Sequence, residues 1–215
     1  MTPETLNQNL RQTLSRGRVR ITRPAGCPAI PLYLFDPATL DGPLSHDEAQ
    51  AVVAEPAYWS FCWASGQALA SYLLATPELV RGRRVLDFGC GSGVVAIAAM
   101  LAGACEAIAC DLDPDARAAT LANAALNGVS VRVCDHWQQR PAELDLILAA
   151  DVLYDHDNRP MLAQFCEAAA GVVLADSRVR DLGDSRYQLQ TVIEARTAPD
   201  LNEFEEFNQV RIYQV

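Results

Sequence analysis

What this 215-residue chain lacks narrows its function first. It is short of positive charge: 27 acidic residues outweigh 17 basic ones, for a formal net charge of −10 and a sequence pI of about 4.7. Phosphate-backbone binding needs a basic surface, so nucleic acid is not an expected partner. A cationic partner, such as a lysine-bearing protein, is complementary. No two cysteines have CxxC spacing; the seven present (Cys27, Cys62, Cys90, Cys105, Cys110, Cys134, Cys166) are scattered and odd in number. That argues against a disulfide framework or a zinc site and for reduced thiols in a cytoplasmic protein. The three histidines, His46, His136 and His156, make no metal-ligand pattern, so no metal is expected. The start, "MTPETLNQNLRQ", has neither the positive charge nor the apolar run of a secretory signal. The longest apolar stretch, near "VVAIAAMLAGA", is too short to span a bilayer, so no membrane association is expected.

What is present falls into two parts. Residues 1–62 read as an N-terminal extension of helix, strands and a proline-rich segment, with residues 63–215 forming the main domain. Arg11, Arg16, Arg18, Arg20 and Arg23 mark a solvated helix end that leads into an edge strand. Pro24, Pro28, Pro31, Pro37 and Pro43 then impose extended segments and turns. From Ala64 the pattern changes. "ASGQALASYLLATPEL" places Leu69, Tyr72 and Leu73 on one helical face and stops at Thr76-Pro77. Short apolar runs then alternate with helical segments, and the tail "QTVIEARTAP" and "FNQVRIYQV" reads as two closing strands. Such alternation gives an α/β fold: a doubly wound, mostly parallel sheet covered on both faces. The "DPDARAATLANAALNG" helix carries its own signals, with Asp113 as cap, Pro114 in the first turn and Asn127-Gly128 at the end.

"VLDFGCGSG", residues 85–93, carries the chemistry. A strand feeding a glycine-rich turn and then a helix N-terminus makes a ligand site from backbone alone. Gly89, Gly91 and Gly93 form GxGxG, which departs from both GxGxxG and the phosphate loop. No lysine follows, so a triphosphate lacks its counter-charge. Asp87, two residues ahead of the first glycine, would repel a pyrophosphate but suits a cationic amino-acid headgroup. That argues against a nicotinamide-dependent oxidoreductase. S-adenosylmethionine carries an ammonium and a sulfonium and no phosphate. Asp111 ends the next strand about twenty residues on, where an acid accepts from ribose hydroxyls. Asp135, with His136 and Trp137 beside it, ends a third strand, positioned for an adenine edge and face.

Together, "VLDFGCGSG", "CDLDP" and "LAADVLY" resemble the seven-stranded, Rossmann-like S-adenosylmethionine-dependent methyltransferases. "IPLYLFDP", "YWSFCWASGQALASYLL" and the [DE]xxY stretch Asp151–Tyr154 are similar to the nicotinamide N-methyltransferase-like lysine methyltransferases, specifically those acting on the electron transfer flavoprotein beta subunit. The resemblance runs from about Ala29 to Asp176. It implies that Asp87, Gly89 and Gly91 border the methionine part of the cofactor, that Asp111 holds the ribose, and that Asp135 lies near adenine. Trp63 and Gly66 match a "WxxG" that shapes the cofactor pocket; Cys90, Gly93, Leu112 and Ala150 complete the candidate set. Asp151 and Tyr154 match the motif facing the methyl-accepting nitrogen, and are the candidate catalytic pair. The expected substrate is a lysine-bearing protein; a small amine is the alternative. One departure is visible: after "GVVLADS" the family places a longer helix, whereas "RVRDLGDSRYQ" reads as loop and weak helix.

Overall fold

The computed structural model describes residues 2–40 and 42–215; Met1 and Asp41, both within the expected extension, lie outside the described residues. The chain begins with helix α1 (Pro3–Leu10), whose Thr2 cap accepts from Thr5 N–H. An antiparallel pair follows, β1 (Val19–Thr22) and β2 (Leu32–Phe35), and then helix α2 (His46–Ala54). The sequence reading did not include α2. A capping box explains it: Ser45 takes Glu48 N–H while the Glu48 carboxylate takes Ser45 N–H.

The main domain runs α3 (Ala64–Ala75), β3 (Arg84–Phe88), α4 (Val94–Leu101), β4 (Glu106–Cys110), α5 (Pro114–Leu126), β5 (Arg132–Cys134), β6 (Leu144–Ala150), α6 (Met161–Ala168), β7 (Ala169–Asp176), β8 (Gln188–Glu194) and β9 (Gln209–Gln214). Seven strands form one sheet in the order β5-β4-β3-β6-β7-β9-β8. The first five are parallel; β9 enters antiparallel to both β7 and β8. The expected doubly wound α/β sheet is therefore present, including the two closing strands. Residues 178–187 contain no helix, so only the loop half of that expectation holds.

Period-two alternation drives the layering. Val85, Ala107, Ala109, Leu146, Leu148, Val173 and Ala175 face α3 and α4 in one core. Their neighbours Leu86, Ile108, Cys110, Ile147, Ala149, Val172 and Leu174 face α6 and Trp137 in the other. Strands buried on both faces need the continuous apolar runs seen in the sequence.

The N-terminal segment shares a third core with α5. Leu6 and Leu10 of α1, Phe35 of β2 and Trp59 pack on Ala116, Ala118, Ala119 and Ala122. Polar ties reinforce the seam: Tyr33 N–H donates to Asn123 Oδ1 at 2.7 Å, and Asn127 donates to Pro31 O at 2.8 Å. Trp59 is 2% exposed and is the largest side chain in that joint. Replacing Trp59 with Ala should cost about 3–5 kcal/mol in urea unfolding. The whole chain should still unfold in one transition; an early, separate transition of the N-terminal segment would show that the joint does not couple them.

Candidate active site

Doubly wound sheets bind ligands beyond their C-terminal strand ends, at the crevice where strand order reverses. Here the reversal lies between β3 and β6, and a cavity of about 960 Å³ opens there.

The glycine turn is pinned by its neighbour strand. Cys110 O, at the end of β4, accepts from Gly89 N–H at 2.8 Å and Cys90 N–H at 3.2 Å. Gly91 N–H donates to Asp111 Oδ2 at 2.9 Å. Gly91 has φ +48°, and a Cβ there would meet nothing within 4 Å, because the residue faces the cavity. Gly93 is constrained by contact instead. It caps α4 at φ +80°, and a Cβ would come within 2.9 Å of Thr120 Cα.

Asp87 departs from its expected place. It is 1% exposed and lies behind the glycine turn, where Oδ2 accepts Ala96 N–H in the first turn of α4 at 3.0 Å. Burial pushes its carboxyl up to about 8; the Ala96 N–H opposes the rise and the Asp111 charge adds to it. Cys90 and Gly93 likewise stand off the cavity wall. The Cys90 thiol turns inward to accept Thr120 Oγ1–H at 3.3 Å. Gly66 is also outside the wall: it lets α3 approach α4, since a Cβ there would sit 3.1 Å from Val94 Cγ1.

The other candidates converge. Trp63, Gly89, Gly91, Asp111, Leu112, Asp135, His136, Trp137, Ala150, Asp151 and Tyr154 all line the one cavity. Asp111 uses both oxygens on backbone, Oδ2 on Gly91 and Oδ1 on Asp113 N–H at 3.0 Å. Burial raises its carboxyl above the usual range, against those two donors. Asp113 in turn caps α5 by accepting Asp115 N–H at 2.8 Å, as the sequence suggested. Asp135 is different: its Oδ1 is buried with no hydrogen-bond partner among the described residues. Such an acceptor carries its full desolvation cost until a donor arrives. Next to it, Trp137 is fixed edge-on against Phe88 and Phe165, with ring centroids 5.9 and 5.4 Å away.

The opposite end of the cavity is aromatic. Tyr58 lies 5.7 Å from the Trp63 ring and 5.9 Å from Tyr154, forming a collar in which the two tyrosines are exposed and Trp63 is half-buried. Trp63 Nε1–H donates to Tyr58 O at 3.1 Å, which fixes the collar's geometry. Burial, with nearby Tyr58 and the Asp111 and Asp155 charges, raises the Tyr154 phenol, so it stays protonated at neutral pH. Asp151 sits between the two ends. Its Oδ1 accepts Ser65 Oγ–H at 2.6 Å and Ser177 Oγ–H at 2.9 Å.

Sequence reasoning missed Tyr58, Phe88 and Arg178 in the wall. Tyr58 had a signal: it stands just ahead of the "WxxG" match. Arg178 had none, because a loop 25 residues further on holds it, through Glu203 Oε1 at 2.6 Å and the Phe207 ring at 4.3 Å. Among the described residues, no group of three or more His, Cys, Asp or Glu could hold a metal ion.

The family model described as ribosomal protein L11 methyltransferase (PrmA) matches residues 67–179. An electron transfer flavoprotein beta subunit lysine methyltransferase from Danio rerio is 39% identical over 134 residues, covering 61% of this chain and 52% of that protein. This chain spans about half the length of the curated relatives it matches, or less. Among solved structures, the ribosomal protein L11 methylase from Lactobacillus delbrueckii subsp. bulgaricus has a TM-score of 0.52 at 23% identity, covering 70% of this chain and 78% of that one. Magnesium protoporphyrin IX methyltransferase from Synechocystis PCC 6803 with bound SAM has a TM-score of 0.52 at 18% identity, covering 81% and 85%.

The buried Asp87 gives a pH signature. A carboxyl raised from 3.8 to about 8 in the fold is stable there in its neutral form. Its contribution to stability is complete below about pH 4 and is lost as pH rises toward about 8. Asp87→Asn is neutral at every pH and can still accept the Ala96 N–H. Its melting temperature relative to wild type should therefore climb steadily between about pH 5 and 8. Parallel melting curves across that range would refute the buried-acid assignment.

Proposed function

The chain belongs to the ribosomal protein L11 methyltransferase (PrmA) family, and on that premise we propose that it transfers methyl groups from S-adenosylmethionine to lysine side chains of a protein. The electron transfer flavoprotein beta subunit, named in the relatives, is the first acceptor to try. One observation carries the reading. A collar of Tyr58, Trp63 and Tyr154 opens one end of a cavity whose other end is lined by Asp135, with its buried, unpartnered oxygen.

The residues fit S-adenosylmethionine. It has no phosphate to be repelled by three acid-tipped strand ends. Its adenine amine is a donor of the kind Asp135 Oδ1 lacks. Asp111, already oriented by two backbone amides, retains acceptor capacity for ribose hydroxyls. Gly91 leaves open space where a side chain would intrude. When bound, the cofactor supplies a methyl group on a sulfonium, which passes in line to an amine nitrogen while the S–C electron pair stays on sulfur.

The chain's own task is to present that nitrogen. A lysine ammonium meets the collar rings by cation–π attraction, and its alkyl chain lies along their faces. Asp151 can then accept a hydrogen bond from the amine and hold its lone pair toward the cofactor. The protonated Tyr154 is a wall and a π-face, with no role as a base. Excess acid around the mouth draws basic protein surfaces toward it. A cytoplasmic setting suits cysteines that are all free among the described residues, where no helix is long and apolar enough to cross a membrane.

The test is tritiated S-adenosylmethionine with the flavoprotein subunit and with whole extract. All 17 basic residues of this chain are arginines, so label in lysine cannot come from the enzyme. Label on a protein lysine is the expected result; label confined to small amines would overturn it. Tyr58→Ala and Tyr154→Ala should each raise KM for the protein roughly tenfold, from the ~1–2 kcal/mol of a partly desolvated cation–π contact. For Asp135→Ala, the melting temperature without ligand should hold or rise, because a buried unpartnered acceptor is removed. Its stabilisation by S-adenosylhomocysteine should be lost.

A further inference from the structure

We infer that Ser65 and Ser177 are positioning residues that clamp Asp151, turning one carboxylate oxygen away so that the other faces the acceptor amine. The inference rests on the lysine methyl transfer proposed above and names two residues outside both the Asp151–Tyr154 stretch and the cavity wall.

It begins with a helix that lacks its own cap. Helix α3 starts after Trp63, whose side chain makes no capping bond, so its first amides need partners from elsewhere. Asp151, 86 residues further along the chain, supplies one: Oδ2 receives Ser65 N–H at 3.4 Å. A carboxylate over a helix N-terminus is also favoured by the helix dipole.

The two oxygens are used unequally. Oδ1 receives Ser65 Oγ–H at 2.6 Å, Ser177 Oγ–H at 2.9 Å and Ser177 N–H at 3.1 Å. Three donors fill that oxygen. Oδ2 has only the long contact at 3.4 Å and retains room for a further donor. Asp151 lines the cavity; Ser65 and Ser177 do not. The saturated oxygen is therefore the one held by buried hydroxyls (Ser65 0% and Ser177 5% exposed), where water does not compete.

Backbone geometry points the same way. Asp151 has φ +51°, a left-handed conformation that aspartate tolerates better than most residues. Its N–H is held by Ala175 O at 3.0 Å. Strain of this kind persists only where surroundings over-determine it. Three elements do so: the start of α3, the end of β6 and the end of β7. The neighbouring acid, Asp176, is engaged separately, with Oδ1 on Arg178 N–H at 2.8 Å and Val179 N–H at 2.6 Å. It does not share the Asp151 donors.

A plain helix cap would make the same contacts, so stability alone cannot decide. The deciding measurements are steady-state kinetics on Ser65→Ala, Ser177→Ala and Ser177→Thr, with S-adenosylhomocysteine binding as the control. Each alanine variant should lower kcat about tenfold or more, as expected when a reacting partner is misplaced. Binding of S-adenosylhomocysteine should stay within about twofold of wild type. The threonine variant, which keeps the hydroxyl, should recover most of the rate. In a cycle with Asp151→Asn, adding Ser177→Ala should cost less than about threefold, since the serine acts through the aspartate. Unchanged kcat in both alanine variants, or losses that multiply in the double variant, would overturn the clamp. If Ser65→Ala fails to fold, Ser177→Ala carries the test, because its backbone N–H remains bonded. A wild-type protein that transfers no methyl to lysine overturns the underlying reading, and the clamp with it.

Discussion

The ligand edge of this protein depends on carbonyls at strand ends accepting amides from the loop of the next strand. Cys110 O takes Gly89 and Cys90 N–H, Cys134 O takes Asp111 N–H, and Ala175 O takes Asp151 N–H. The ladder thus continues one step beyond the regular strands on three fronts. Turns that would otherwise leave buried amides unpaired become rigid. The carboxylates of Asp111 and Asp151 take further amides of the same loops, Gly91 and Asp113 N–H on Asp111 and Ser177 N–H on Asp151, and are oriented by them. Those strand-end bonds are what make a site out of a sheet edge.

Much of this was legible in the sequence, for identifiable reasons. Two-sided apolar runs such as "LDLILAAD" announce parallel strands, because burial on both faces leaves no polar phase. Asp113, Pro114 and Asn127-Gly128 marked α5 because capping chemistry is local. Acid-tipped strand ends in sequential order identified Asp111, Asp135 and Asp151 in the cavity wall. The failures were non-local. Asp87 looks identical to Asp111 in sequence, yet one faces α4 and the other the cavity. Alternation along β3 decides it: position 87 continues the face of Val85 toward the helices. Ser65 and Ser177 are ordinary serines until sheet order brings β6 beside β7 and α3 onto both. Nothing in one sequence encodes a contact across 86 positions.

The N-terminal segment shows how a functional wall is assembled from two halves of the chain. Trp59 packs into the core shared by α1, β2 and α5, while its neighbour Tyr58 reaches the collar. Phe35, Phe61 and Trp63 continue the ring contacts at 5.9 and 5.8 Å, from the hairpin to the mouth. Aromatic packing of this kind is stiff, since each ring has only two rotatable bonds and several neighbours. The segment that resembles an appendage in the sequence therefore sets where Tyr58 stands.

Charge divides the cavity into two regimes. At the β5 end, Asp111 is held by backbone amides and Asp135 keeps an unpartnered oxygen, which suits a ligand with many donors and no phosphate. At the α3 end, the two tyrosines are exposed and a single carboxylate is directed by hydroxyls. On the proposed reading, a lysine arriving there passes from a region where its ammonium is favoured, the acid and π-face rim, to one where its lone pair must be presented. Burial raises the Tyr154 phenol, so no phenolate waits to take the proton. Deprotonation is then helped by the site's other charges: a cationic cofactor beside the amine disfavours a second positive charge, as like charges do in any partly buried site. On that argument, selectivity for an amine and activation of that amine come from the same arrangement, with Asp151 at the boundary between them.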